Sequence, residues 1–261
     1  MTTPGRLSIG AGGRITGPAT ITHNTPFPCP NGQLGVTGAM QGVLMHTMVG
    51  TLTGTIASFN DPHRQASAHF GIGFDGRIHQ FGPLGKGWEA WHAMAANLTW
   101  YGIEHEDGGD QHKPLTDAQI TASAQVVELL SRFAGFPLQV TDDVHGRGYG
   151  THVMGGAAWG GHTCPGPGPR AGQRKAIIDL AKVIRRGLPG YTTHVTAGQL
   201  SLAALAAKHG ETPTGVLVET VRHFRLQQPQ LSRWVNAVFA GDVDPSAPMP
   251  EGISLRVPVI P

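Results

Sequence analysis

Cysteine is scarce in this chain: Cys29 and Cys164 are the only two among 261 residues. A disulfide framework is thereby excluded, and a single Cys29 to Cys164 bridge is the most that could form. Charge is also sparse, with 14% Asp, Glu, Lys and Arg and a formal net charge of +2. No basic block of the kind that tracks a phosphate backbone occurs, so nucleic acid is not an expected partner. No run of about 18 apolar residues is present, so neither a membrane-spanning helix nor stable membrane association is expected. The opening Met1-Thr2-Thr3-Pro4-Gly5-Arg6 lacks the positive stretch and apolar core of an export signal. The expectation is a soluble monomer made in the cytoplasm.

Glycine and proline are abundant instead, 38 and 20 residues, which predicts many ordered turns and loops. The length suits one large or two unequal domains. Residues 1 to about 38 have no sustained period and read as irregular structure or short edge strands. The apolar run Gly42-Val43-Leu44-Met45 reads as a buried strand ending near His46. Residues 66–74 and 77–81 are β-prone runs around the turn pair Asp75-Gly76, a hairpin signature. In residues 101–106 a third strand would put Ile103 and His105 on one face, Glu104 and Glu106 on the other.

Thr116-Asp117-Ala118-Gln119 has the form of a capping box, with Ile120, Val127, Leu130 and Ala134 following on one helical face. A second helix is predicted from about Pro169 to Arg186, with Ile177, Leu180, Ala181 and Ile184 inward and Gly187 as its stop. Leu188-Pro189-Gly190 then reads as a domain boundary. Beyond it come a strand at 191–195, a helix capped by Ser201 and stopped by Gly210, another helix from near Pro213, and a last alternating strand at 253–257.

The chemistry concentrates in a glycine-rich loop, where His152 is followed by His162 and Cys164. His46 is the candidate for the other half of the site: two histidines and the cysteine make three protein ligands, which with an open fourth position is the catalytic zinc pattern. His145, shortly before His152, competes for the second ligand position. His162 could close the coordination sphere as a fourth ligand, making the metal structural, or could stabilise charge on a substrate carbonyl. Glu104 could take a proton from water in a metal-dependent hydrolase, or point to solvent from an edge strand. His69, between Ala68 and Phe70, reads as a core histidine rather than a ligand. His23, His63, His79, His112, His194, His209 and His223 read as surface residues.

In their order along the chain, Met45-His46-Thr47, Ser67-Ala68-His69-Phe70 with Asp75-Gly76, Trp91-His92-Ala93, Gly102-Ile103-Glu104, and His152 with Cys164-Pro165-Gly166 resemble the zinc-dependent N-acetylmuramoyl-L-alanine amidases of the amidase-2 group. The resemblance spans roughly residues 40–186. It implies an α/β (α+β) fold, a central mixed β-sheet flanked by helices, with a catalytic domain over 1–187 and Zn2+ in a surface groove. It matches His46, His152 and Cys164 to the metal ligands. Glu104 matches the water-activating glutamate of members with Ala, here Ala68, in the Ser-x-His motif, and His162 falls where many members carry an oxyanion-stabilising Lys. Ala68, Trp91, His92 and Trp159 are expected to line the substrate groove. Relative to simpler members the stretch from Met154 to Gly160 is inserted between His152 and Cys164.

The Gly-Thr-His, GGAAWGG and GHTCPG stretches look most like endolysins of phages infecting actinobacteria, which implies peptidoglycan as partner and release to the wall by a holin-type route. Residues 191–261 resemble a LysM repeat, a small βααβ module that binds glycan strands, although residues 221–240, with Arg225, Gln227, Gln228 and Trp234, exceed the standard repeat. A non-catalytic recognition protein and a zinc peptidase acting within the stem peptide are the alternatives.

Overall fold

The computed structural model describes residues 5–35, 37–85, 87–186, 191–195, 201–208, 237–238, 242–249 and 254–258. Two compact units divide the chain after Arg186.

The first unit is built on a six-stranded mixed sheet. Its strands are β1 (Ile21–His23), β2 (Gly42–Thr47), β3 (Phe70–Ile72), β4 (Ile78–Gln80), β5 (Trp100–His105) and β6 (Gly148–Thr151). The spatial order is β6-β2-β5-β3-β4-β1. All neighbours run parallel except the β3–β4 hairpin. That hairpin turns at Asp75-Gly76, where Gly76 takes a φ of 79°, a conformation that costs glycine little. Three helices belong to this unit: α1 (Leu52–Asn60), α2 (Asp117–Ala134) and α3 (Arg170–Arg186).

Every residue of β2 is buried, as expected of a central strand covered on both faces. The alternation of a strand then sorts its side chains. Val43 and Met45, with Tyr101 and Ile103 of β5, join the core formed with α2 and α3. Leu44 and Trp100 lie on the opposite face, in a separate cluster with Ala93, Ala96 and Trp159. His46 and Glu104 share this second alternation, so the sheet delivers both to the side away from the main helical core.

The predicted capping box forms at the start of α2, with Thr116 Oγ1 accepting from the Gln119 amide at 3.1 Å and the Gln119 side chain accepting from the Thr116 amide. Ile177, Ala181 and Ile184 of α3 are buried as predicted, and each isoleucine contributes about 1.5–3 kcal/mol through apolar burial. Glu128 of α2, itself fully buried, pairs with Arg132 and with Arg185 of α3.

Three readings need correction. Strand β5 is central, between β2 and β3, so Glu104 is not on an edge strand. His79 is buried rather than superficial, because β1 pairs beside it and, with the residue that follows, supplies polar partners: Thr22 Oγ1 lies 2.8 Å from Nδ1, and Nε2 donates to Asn24 Oδ1 at 3.2 Å. His23 is half-buried, with Nε2 donating to the Ile15 carbonyl at 3.1 Å.

In the second unit, β7 (Tyr191–Val195) pairs antiparallel with β8 (Ser254–Pro258), and α4 (Leu202–Lys208) is capped by Ser201 Oγ, which accepts from the Ala204 amide at 3.0 Å. The expected helix near Pro213, the boundary at 188–190, and Arg225, Gln227, Gln228 and Trp234 lie outside the described residues.

Candidate active site

The C-terminal ends of three parallel strands converge on one cleft of about 870 Å³. His46 comes from β2, Glu104 from β5, and His152 follows directly on β6. A short 3-10 stretch, His152–Trp159, then carries the chain away. The Val153 amide donates to the Cys164 carbonyl at 2.9 Å, tying the two ends of the loop together so that the thiol returns beside the imidazoles. The ligand atoms of His46, His152 and Cys164 all lie within 4.8 Å of one another.

Hydrogen bonds decide which nitrogen each imidazole can offer. His152 Nε2 lies 2.6 Å from the Trp159 carbonyl, which can only accept, so Nε2 carries the proton. Its Nδ1 is buried with no hydrogen-bond partner. Burial, more than the neighbouring imidazoles, holds His46 well below the ordinary histidine range, and burial likewise lowers His152. Both are therefore neutral near pH 7, with a lone pair free. Cys29 and Cys164 are both free thiols, which removes the disulfide alternative. Burial first, then the Glu104 carboxylate, pushes the Cys164 thiol up to about 11, while the Thr47 amide that hydrogen-bonds the sulfur pulls the other way. Two neutral imidazoles and one thiol at this spacing fit zinc, and an orphaned buried nitrogen aimed among them is what a metal ligand leaves.

Glu104 Oε1 lies 3.9 Å from His46 Nδ1, and its Oε2 is buried without a hydrogen-bond partner. Burial, with a smaller contribution from Asp107, raises its carboxyl to about 8. A carboxyl poised near neutrality in a cleft is suited to taking and returning a proton.

His162 is exposed on the cleft wall, its ring stacked on that of His152 at 4.9 Å between centroids. It stands outside the ligand group. His145 is exposed in the 141–147 turn and outside the group as well. Trp91, His92 and Trp159 line the cleft as expected, but Ala68 does not. Its methyl is fully buried with Cys29, Phe59, Phe81, Trp88 and Ala90, in a stretch whose neighbours Ser67 and His69 are buried as well. His69 is a core histidine, its Nδ1 accepting from the Gly102 amide at 3.1 Å.

Several contributors escaped the sequence reading. Asp107 is fully buried and accepts from Thr47 Oγ1 at 2.7 Å and the Gly50 amide at 2.6 Å. Arg170, also buried, donates to the carbonyls of Lys113 and Glu106. His105 Nδ1 donates to the His46 carbonyl at 3.0 Å while Nε2 accepts from Ser123 at 2.8 Å. Together they hold the ends of β2 and β5 in place. Val49, Gln65 and Met94, the non-glycine residues with positive φ among those described, all line the cleft. Only backbone torsions reveal that signal.

Two imidazoles and a carboxyl at the ends of parallel strands, with a thiol returned beside them by the 152–164 loop, form a group that could hold a metal ion. Residues 37–167 match the family described as N-acetylmuramoyl-L-alanine amidase, and the chain belongs to that family. It is 37% identical over 87 residues to N-acetylmuramoyl-L-alanine amidase A of Achromobacter lyticus, a stretch covering 33% of this chain and 48% of the relative. The chain thus matches about half the length of that curated relative. Solved structures similar to it include the Staphylococcus aureus hydrolase AmiA in complex with its ligand, at 18% identity and a TM-score of 0.49 over 66% of this chain and 86% of that one. Another is the N-acetylmuramoyl-L-alanine amidase LysC from Clostridium intestinale, at 18% identity and a TM-score of 0.44 over 61% and 97%.

Proposed function

We propose that this chain hydrolyses the amide joining the lactyl group of N-acetylmuramic acid to L-Ala in peptidoglycan, with zinc on His46, His152 and Cys164. The observation that carries the reading is the ligand group itself, lying within 4.8 Å beside Glu104 in a chain of the amidase family. A zinc ion on these ligands supplies a Lewis acid for the amide carbonyl and a more acidic water. Glu104 accepts the proton of the attacking water and returns it to the leaving amine of L-Ala. His162, on the wall above His152, donates to the oxyanion as the carbonyl becomes tetrahedral. Trp91 and Trp159 form cleft walls against which the sugar and lactyl group can pack. Residues 191–261 are assigned as a LysM-like module that retains the protein on glycan strands, and a phage endolysin is the setting that best suits the loop sequences.

The test is digestion of actinobacterial peptidoglycan with and without chelator, read by mass spectrometry. Stem peptides beginning with L-Ala, lost on chelation and restored by zinc, are expected. Shortened stem peptides would make the chain a peptidase, and sedimentation with the wall without release would make it a recognition protein.

A further inference from the structure

His92 lines the cleft, yet neither of its ring nitrogens is free to meet a substrate. Nε2 lies 3.0 Å from the Trp100 carbonyl and Nδ1 lies 3.0 Å from His46 Nε2. A carbonyl only accepts, so His92 Nε2 carries the hydrogen. A neutral imidazole carries a single hydrogen, so with Nε2 as the donor Nδ1 is a lone pair. His46 Nε2 must then be the donor in the second bond. The lone pair of His46 is therefore on Nδ1, the nitrogen that faces Glu104 at 3.9 Å.

We propose that His92 is a positioning residue of the metal centre: by linking the Trp100 carbonyl to His46, it fixes the ring orientation and tautomer in which His46 offers Nδ1 to the cation. The inference rests on the zinc reading above. The alternative tautomer of His46 would set two lone pairs against each other across 3.0 Å and leave a hydrogen on the ligand atom. Such outer partners orient metal-bound imidazoles in general. His152 is held the same way without a relay, since Nε2 bonds the Trp159 carbonyl directly. Both imidazoles therefore present the same nitrogen, one through the Trp159 carbonyl and the other through a second histidine.

The surroundings of His92 are built for this role. Asn97, buried, accepts through Oδ1 from the amides of His92 at 2.9 Å and Ala93 at 2.7 Å, anchoring the backbone from which the ring projects. The ring occupies space left by Gly102 on β5: a Cβ there would lie 2.8 Å from both Cγ and Nδ1 of His92. Glycine between Tyr101 and Ile103 thus keeps an opening through which one histidine can sit beneath another.

Two measurements test the inference. In wild-type protein with 15N-labelled histidine, two-bond proton-nitrogen correlation spectra of the zinc-free form should show His46 and His92 both as the Nε2–H tautomer; His46 found as Nδ1–H overturns the assignment, and no variant is needed. Zinc affinity is then measured by competition with a chromogenic chelator. His92→Phe should weaken binding by about 10- to 100-fold. His92→Gln, whose carboxamide offers one acceptor and one donor, should recover part of the loss, and Gly102→Ala should weaken binding while leaving every ligand in place. Wild-type affinity in a folded His92→Phe protein would refute the role of His92 and leave the zinc reading standing. A wild-type chain that takes up no zinc would remove that reading and this inference with it.

Discussion

Glu104 sits directly across from His46 in the parallel pairing of β5 with β2. Because registered neighbours on adjacent strands point to the same face, the pairing alone brings a carboxyl to 3.9 Å from a ligand imidazole. Neither residue depends on a flexible loop for its position. Glu104→Gln should therefore keep the fold and bound zinc while kcat falls by about 10²- to 10⁴-fold. Steady-state rates on a soluble muropeptide with zinc content measured in parallel check this, and full activity in the variant would remove Glu104 from proton transfer.

Zinc should also stabilise the folded chain, because the ligand atoms come together only when β2 and the 152–164 loop are in place. At free zinc about 100-fold above Kd the gain is about 2.7 kcal/mol. Calorimetry should show a lower Tm after chelation, and Cys164→Ala should abolish both the zinc-dependent rise in Tm and turnover. A Tm indifferent to zinc in the wild type would contradict the ligand assignment.

Val49 is exposed, β-branched and held at a φ of 50° on the cleft wall. Such a backbone costs of order 1–3 kcal/mol, and glycine adopts it freely. Val49→Gly should raise stability by about 1 kcal/mol and raise KM through loss of an apolar wall. If urea unfolding and KM are both unchanged, the strain has no bearing on substrate binding.

His79 gives a pH signature away from the cleft. Burial lowers it to about 4, against 6.5 when unfolded. The unfolded chain then binds the extra proton first, so the contribution of His79 is complete above pH 6.5 and is lost as pH falls toward 4. Between pH 7 and pH 5 the wild type should lose about 1 kcal/mol more than His79→Gln, after allowance for solvent screening. Parallel acid limbs in denaturant titrations of the two proteins would disprove it.

The local elements were legible in the sequence because their causes are local. The Thr116 to Gln119 capping box, the Asp75-Gly76 turn, and the inward face of Ile177, Ala181 and Ile184 each depend on residues a few positions apart. The ordered motifs around His46, Glu104, His152 and Cys164 likewise pointed to metal chemistry before any coordinates. Tertiary structure alone decided what depends on neighbours distant in the chain. It buried His79 under β1, turned Ala68 into the core, made β5 central and so put Glu104 beside His46, and left His145 exposed. It also assigned the hydrogens: Trp100 and Trp159 act here through their carbonyls, which no residue type reveals. Side-chain identity names the possible ligands, but the lone pair each one offers follows from what the fold places behind it.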